Sequence, residues 1–99
     1  MARSSRLESG FQDRLIEELK TTYPGCMIFK MDQMQGIPDL LILHGDKWAS
    51  LEAKRGTKAK RQPNQEYYVD KMNRMSFSRF INPDNKEEVL HELHEAFRA

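Results

Sequence analysis

The stretch GIPDLLILHGDKWASLEAKRG, residues 36–56, decides how this chain folds. Two apolar runs flank His44-Gly45-Asp46-Lys47, and Gly-Asp is an accepted two-residue hairpin loop, glycine supplying the positive φ of a type II′ turn. That turn sets the register: 44 opposite 47, then 43 with 48, 42 with 49, 41 with 50, 40 with 51 and 39 with 52. Asp39 therefore faces Glu52 on the same side of the sheet, with Cβ atoms about 4.5–5.5 Å apart. Lys54, two residues beyond Glu52, joins them on that face. A slip of one residue would break the arrangement, so the expectation rests on the turn.

Two opposed carboxylates repel and weaken a strand pair. A divalent cation would compensate, because hard oxygen ligands at this spacing suit Mg²⁺ or Mn²⁺. Lys54 adds a positive charge able to position or activate a water, or to neutralise a phosphate oxygen. A plain salt-bridge cluster at a sheet end accounts for any one of these residues alone. It accounts less well for all three on one face, followed at once by a basic run.

Working outward, SGFQDRLIEELKTTYPG spaces Phe11, Leu15, Ile16, Leu19 and Tyr23 along one helical stripe, with Ser9 as N-cap and Pro24-Gly25 as the stop. CMIFKMD predicts a short strand. After the hairpin, QPNQEYYVDKMNRM predicts a helix with Pro63 in its first turn and Tyr68, Val69 and Met72 on one face. SFSRFIN predicts a fourth strand, stopped by Pro83. Asp84 and Glu87 have capping-box spacing before a helix whose stripe is Val89, Leu90, Leu93 and Phe97. The order is α-β-β-β-α-β-α, which predicts a mixed sheet flanked by helices.

Ninety-nine residues suit one domain, with a polar arm at 1–8 and the domain over 9–99. One cysteine, Cys26, allows no internal disulfide, and no apolar run is long enough to span a bilayer. A soluble protein of the reducing cytoplasm, away from membranes, is the expectation. Net charge is +1, but KRGTKAKR at 54–61 gathers five cations and no acid. Such a stretch on a near-neutral chain points to a polyanion met by one face, against the simpler reading of a solvated loop. His91 and His94 have ligand-like spacing without a supporting partner pattern, Cys26 reads as a small buried residue, and Trp48 alternates onto the face of Glu52, where it would form a floor beneath these residues.

Pro38-Asp39 followed by Glu52-Ala53-Lys54 resembles the signature of the PD-(D/E)xK nuclease superfamily. It is most similar to the stand-alone, phage-type VRR-NUC branch, whose members tend to show G-x-P-D-L, then E-x-K-G or a close variant, then a glutamine opening the next helix. Gly36 and Gln65 supply the outer positions. The resemblance implies a restriction-endonuclease-like α/β fold, an αβββαβα core with a four-stranded mixed sheet. It implies that Asp39, Glu52 and the backbone carbonyl of Ala53 bind the metal, and that Lys54 orients or helps deprotonate the attacking water. Gln65 would stand near that water or a phosphate. The family usually adds a glutamate from the first helix. Here Gln12 aligns best with it, and Glu8 could substitute if that helix starts sooner.

The expectation is a Mg²⁺- or Mn²⁺-dependent deoxyribonuclease that cuts DNA internally. Arg55, Lys58, Lys60 and Arg61 would contact the phosphate backbone, and such contacts position without reading sequence. A homodimer acting on branched or junction DNA, as a phage protein in host cytoplasm, follows by family analogy. Two other readings stand beside it. One is a DNA-binding module of this fold with weak or lost chemistry, favoured by Gln12. The other is an interaction protein whose basic loop binds an acidic partner.

Overall fold

The computed structural model describes residues 5–31 and 34–99, residues 5–9 by their backbone alone. The elements are α1 (Ser5–Thr22), β1 (Met27–Lys30), β2 (Leu40–His44), β3 (Lys47–Ala53), α2 (Gln65–Met75), β4 (Ser78–Ile81) and α3 (Lys86–Arg98). This is the predicted α/β order. The strands form one mixed sheet, β1-β2-β3-β4, antiparallel at the first two junctions and parallel at β3–β4. A parallel pair needs a crossover, which the basic loop and α2 provide.

The hairpin pairs Leu40 with Leu51 through His44 with Lys47, the register that the turn predicts. Gly45 has φ 63°, while Asp46 is not in the left-handed region, as a type II′ turn requires. Alternation then separates two faces of the sheet. Leu40, Ile42, Ala49, Leu51, Ala53 and Ile81 join Phe11, Leu15, Leu19, Val89 and Leu93 in one core between the sheet and helices α1 and α3. The leucines and isoleucines among them, Leu15, Leu19, Leu40, Ile42, Leu51, Ile81 and Leu93, are fully buried. Each such burial stabilises by roughly 1.5–3 kcal/mol.

The opposite face is polar at its centre. Ser50 and Ser78 are partners across the parallel pair. The Ser50 hydroxyl donates to Ser78 Oγ at 2.7 Å, under Met72 of α2. Helix α2 packs on β3 and β4, and at the far edge Met27 and Phe29 of β1 stay exposed. Strand β3 is thus covered on both sides, and its residues from Ala49 to Ala53 are all buried.

Three local expectations are corrected. Helix α1 begins at Ser5, so Ser9 is internal to it and the expected arm is helical from Ser5; residues 1–4 lie outside the described residues. A Ser-Gly pair reads as a boundary, yet Gly10 costs a helix only about 1 kcal/mol. Helix α2 begins at Gln65, after a left-handed Asn64 (φ 72°), which leaves Pro63 outside its first turn. Helix α3 is preceded by Asn85 rather than capped by Asp84. There the Asn82 side-chain oxygen accepts the N–H groups of Asp84 and Asn85 at 2.8 and 2.9 Å, so the turn is closed from the strand side.

Candidate active site

The hairpin brings the expected residues together. Asp39 lies just before β2, where its carbonyl accepts from Met31 N–H at 2.6 Å. Its own N–H donates to Glu52 Oε1, and its Oδ2 accepts from Ala53 N–H, both at 3.2 Å. The two acids are therefore interlocked through the backbone, one step beyond the last regular pair of the hairpin. Beyond Ala53, Lys54 N–H donates to Ile81 O at 2.8 Å. That bond prolongs the β3–β4 ladder and keeps Lys54 in step with Glu52.

Glu52, Lys54 and Gln65 are 2, 6 and 7 % exposed. Charges this deeply buried must be paired and hydrogen-bonded. Lys54 Nζ stands 3.7 Å from Glu52 Oε2 and donates to Lys60 O at 3.1 Å, so the basic loop folds back over the lysine. Gln65 Nε2 donates to Glu52 Oε2 at 2.8 Å, while Gln65 Oε1 accepts Gln62 N–H at 2.6 Å. That second bond orients the amide, presenting its NH₂ to the carboxylate.

Gly36 explains how Gln65 is placed. It is buried with φ 95°, and a Cβ there would lie 2.7 Å from Asn64 Cβ and 3.1 Å from Pro63 O. The segment leading to Asp39 thus presses on the two residues that precede α2. Only glycine satisfies both the backbone angle and the close approach. The motif glycine is a spacer between the acid strand and the glutamine helix.

The remaining predicted residues divide. Arg55, Lys58 and Lys60 are exposed and make no ion pair with any described residue. Arg61 does: it bonds Glu66 at 2.6 Å and lies 3.7 Å over the ring of Phe80. Phe80 is the parallel partner of Glu52 and borders the site, a placement that sequence reasoning missed because it depends on the β3–β4 register. Gln12 is half-buried on α1, and the hydrogen bonds that join Asp39, Glu52 and Gln65 do not include it. The side chain of Glu8 lies outside the described residues. Trp48 shares the face of Glu52 but sits four residues away, about 13 Å along the strand, so it does not floor the site.

Asp39 and Glu52 offer two carboxylates of hard oxygen donors, with Ala53 O the backbone candidate beside them. A carboxylate has about four lone-pair directions, so accepting N–H donors leaves it able to bind a cation. This donor set fits Mg²⁺ or Mn²⁺ in kind. Among the described residues no group of three or more His, Cys, Asp or Glu side chains is arranged to hold a metal.

Elsewhere, His94 packs in an aromatic cluster with Tyr23. Its Nδ1 is 3.3 Å from the Tyr23 hydroxyl, and Tyr23 packs against His44 and Phe97 with centroids 4.9 and 5.2 Å away. Burial, with a smaller contribution from Cys26, raises the Tyr23 pKa above its usual 10.0. Cys26 is half-buried beside that cluster. No described helix is long and apolar enough to cross a membrane. Comparison of the chain with family models, curated proteins and solved structures finds no match.

Proposed function

We propose that this chain is a metal-dependent deoxyribonuclease that hydrolyses phosphodiester bonds within DNA. The observation that carries the reading is the interlocked Asp39–Glu52 pair, with Lys54 3.7 Å from Glu52, at the root of a loop whose Arg55, Lys58 and Lys60 make no ion pair with any described residue. A buried acid, Glu52, set against a half-buried one, Asp39, is costly to a fold, and a purely structural domain gains nothing from it. The resemblance to PD-(D/E)xK nucleases supports the same chemistry from the motif.

Asp39, Glu52 and Ala53 O would hold Mg²⁺ or Mn²⁺. When bound, the cation supplies Lewis-acid stabilisation of the charge that builds on the phosphodiester oxygens. Gln65 fixes the rotamer of Glu52, so the carboxylate is pre-oriented. Lys54 is held by Lys60 O and Glu52, which leaves its ammonium to orient the attacking water. The water oxygen bonds to phosphorus, one P–O ester bond breaks, and the leaving oxygen takes up a proton. Arg55, Lys58 and Lys60 would hold neighbouring phosphates without reading bases. With one such site per chain, a homodimer would cut two strands, and branched DNA is the substrate we favour.

Gln12 and the lack of a three-carboxylate cluster among the described residues favour a second reading, a DNA-binding module of this fold with weak or no catalysis. One assay separates the two. Labelled duplex, single-stranded and four-way-junction DNA are incubated with Mg²⁺, Mn²⁺ or EDTA. Metal-dependent cleavage supports the nuclease, and the substrate preference reports the selectivity. Binding to DNA with no cleavage in either metal supports the module.

A further inference from the structure

A cleft of about 450 Å³ lies between α1 and the loop that follows β3. Phe11, Ala59 and Pro83 give it an apolar lining, shared with Arg14, Arg55 and Lys58. No described acid lines it. The arginines are the telling feature. Arg61, Arg74, Arg79 and Arg98 each bond a carboxylate. Arg14 and Arg55 are the two described arginines that bond no described carboxylate, and both open into this one cleft. Arg55 belongs to the basic loop, whereas Arg14 comes from a different element, so the convergence is made by folding and not by a run of charge.

We propose that this cleft is a phosphate subsite that takes one nucleotide of a DNA strand. The guanidinium groups of Arg14 and Arg55, with Lys58, hold the phosphate, and the sugar lies on Phe11, Ala59 and Pro83. Guanidinium forks match phosphate oxygens in pairs. The apolar part of the lining gives a bare anion nothing, but suits the sugar attached to it. The cleft volume falls within the usual range for a small-molecule site, about 300–1,000 Å³. Arg55 directly follows Lys54, so the subsite adjoins the proposed catalytic centre along the chain. That it serves the strand being cut rests on the nuclease reading. That it binds a nucleotide phosphate does not.

The phosphate can be a terminal monoester or an internal diester, and short ligands distinguish them. Thymidine dinucleotide with a 5′-phosphate, the same dinucleotide without it, and inorganic phosphate are titrated into ¹⁵N-labelled protein in EDTA, where nothing is cut. Saturable shifts at Phe11, Gly56, Ala59 and the Arg14 and Arg55 side chains are expected. Arg14→Gln removes charge-assisted hydrogen bonds at an exposed position and should weaken dinucleotide binding by about tenfold. Gly56→Leu tests the space without altering charge, since a Cβ on Gly56 meets nothing within 4 Å, and it should block the cleft. Tighter binding of the 5′-phosphorylated ligand assigns the subsite to strand ends, and equal binding assigns it to the internal backbone. Shifts confined to other surfaces, or unchanged affinity in both variants, overturn the proposal. If the variants lose binding while Mn²⁺ supports no cleavage, the subsite stands and the nuclease reading falls. If DNA is cut and neither variant alters binding, the reverse holds.

Discussion

Gly36→Ala is the perturbation with the most to say about how the site is built. The backbone there has φ 95°, where an L side chain costs roughly 1–2 kcal/mol. The added Cβ would lie 2.7 Å from Asn64 Cβ, against an ordinary carbon contact of about 3.5–4.0 Å. Asn64 must then retreat by about 1 Å, and it is itself held at φ 72° ahead of α2. Overpacking of that kind costs about 1–3 kcal/mol, so the total expected is about 2–5 kcal/mol. Gly25 is the internal control: its φ is 88°, but a Cβ there meets nothing within 4 Å. Gly25→Ala should show the backbone term alone, roughly 1–2 kcal/mol. Urea unfolding of the two variants isolates the close-contact term by difference. The retreat of Asn64 also carries Gln65 away from Glu52, and a misplacement of about 1 Å near reacting groups can cost on the order of 100-fold in rate. Gly36→Ala should therefore lose cleavage under conditions where it is still folded, and Gly25→Ala should not. Equal stability losses in the two variants, with equal activity, would refute the spacer role.

Three further predictions follow from other parts of the molecule. Ser50→Ala or Ser78→Ala alone leaves a buried hydroxyl without its partner and should cost about 1–3 kcal/mol, whereas the double variant should cost much less than the two combined. Additive losses in urea unfolding would show that the 2.7 Å bond carries no coupling. Because burial raises the Tyr23 pKa, the folded state keeps a proton that the unfolded state releases above about pH 10. The stability this contributes is present below pH 10.0 and lost as pH rises through the folded value, so the gap between wild type and Tyr23→Phe should hold up to about pH 10 and narrow above it. A constant gap would contradict it. Lys60→Gln should weaken DNA binding uniformly across sequences and reduce the slope of log affinity against log salt by about 0.9, and an unchanged slope would exclude Lys60 as a phosphate contact.

Much of this architecture was legible because one turn controlled it. Gly45-Asp46 set the hairpin register, the register placed Asp39 against Glu52, and alternation put Lys54 beside them. The apolar stripes of α1 and α3 predicted the core face equally well, since Phe11, Leu15, Leu19, Val89 and Leu93 are all buried. What escaped was set by contacts between distant segments. Phe80 beside Glu52 depends on the parallel β3–β4 register, which no turn encodes. The cleft joins Arg14 to a loop some forty residues later, and a lone exposed arginine on a helix gives no signal of that. Trp48 illustrates the limit of alternation, which fixes a face but not a distance. The helix starts failed for a local reason: Ser9, Pro63 and Asp84 each satisfy a capping preference that the backbone did not use there.

The central claim is that Asp39 and Glu52 form a cation-dependent catalytic pair, and Glu52→Gln tests it most directly. The substitution is nearly isosteric and keeps an oxygen for the Asp39 N–H, so folding is checked by urea unfolding in the same preparation. Cleavage of junction and duplex DNA is then timed for wild type and variant in Mn²⁺ and in EDTA. The account predicts cutting by the wild type in Mn²⁺ alone, with a folded Glu52→Gln variant that still binds DNA and does not cut it. Cleavage at the wild-type rate by the folded variant, or cleavage that persists in EDTA, would contradict it.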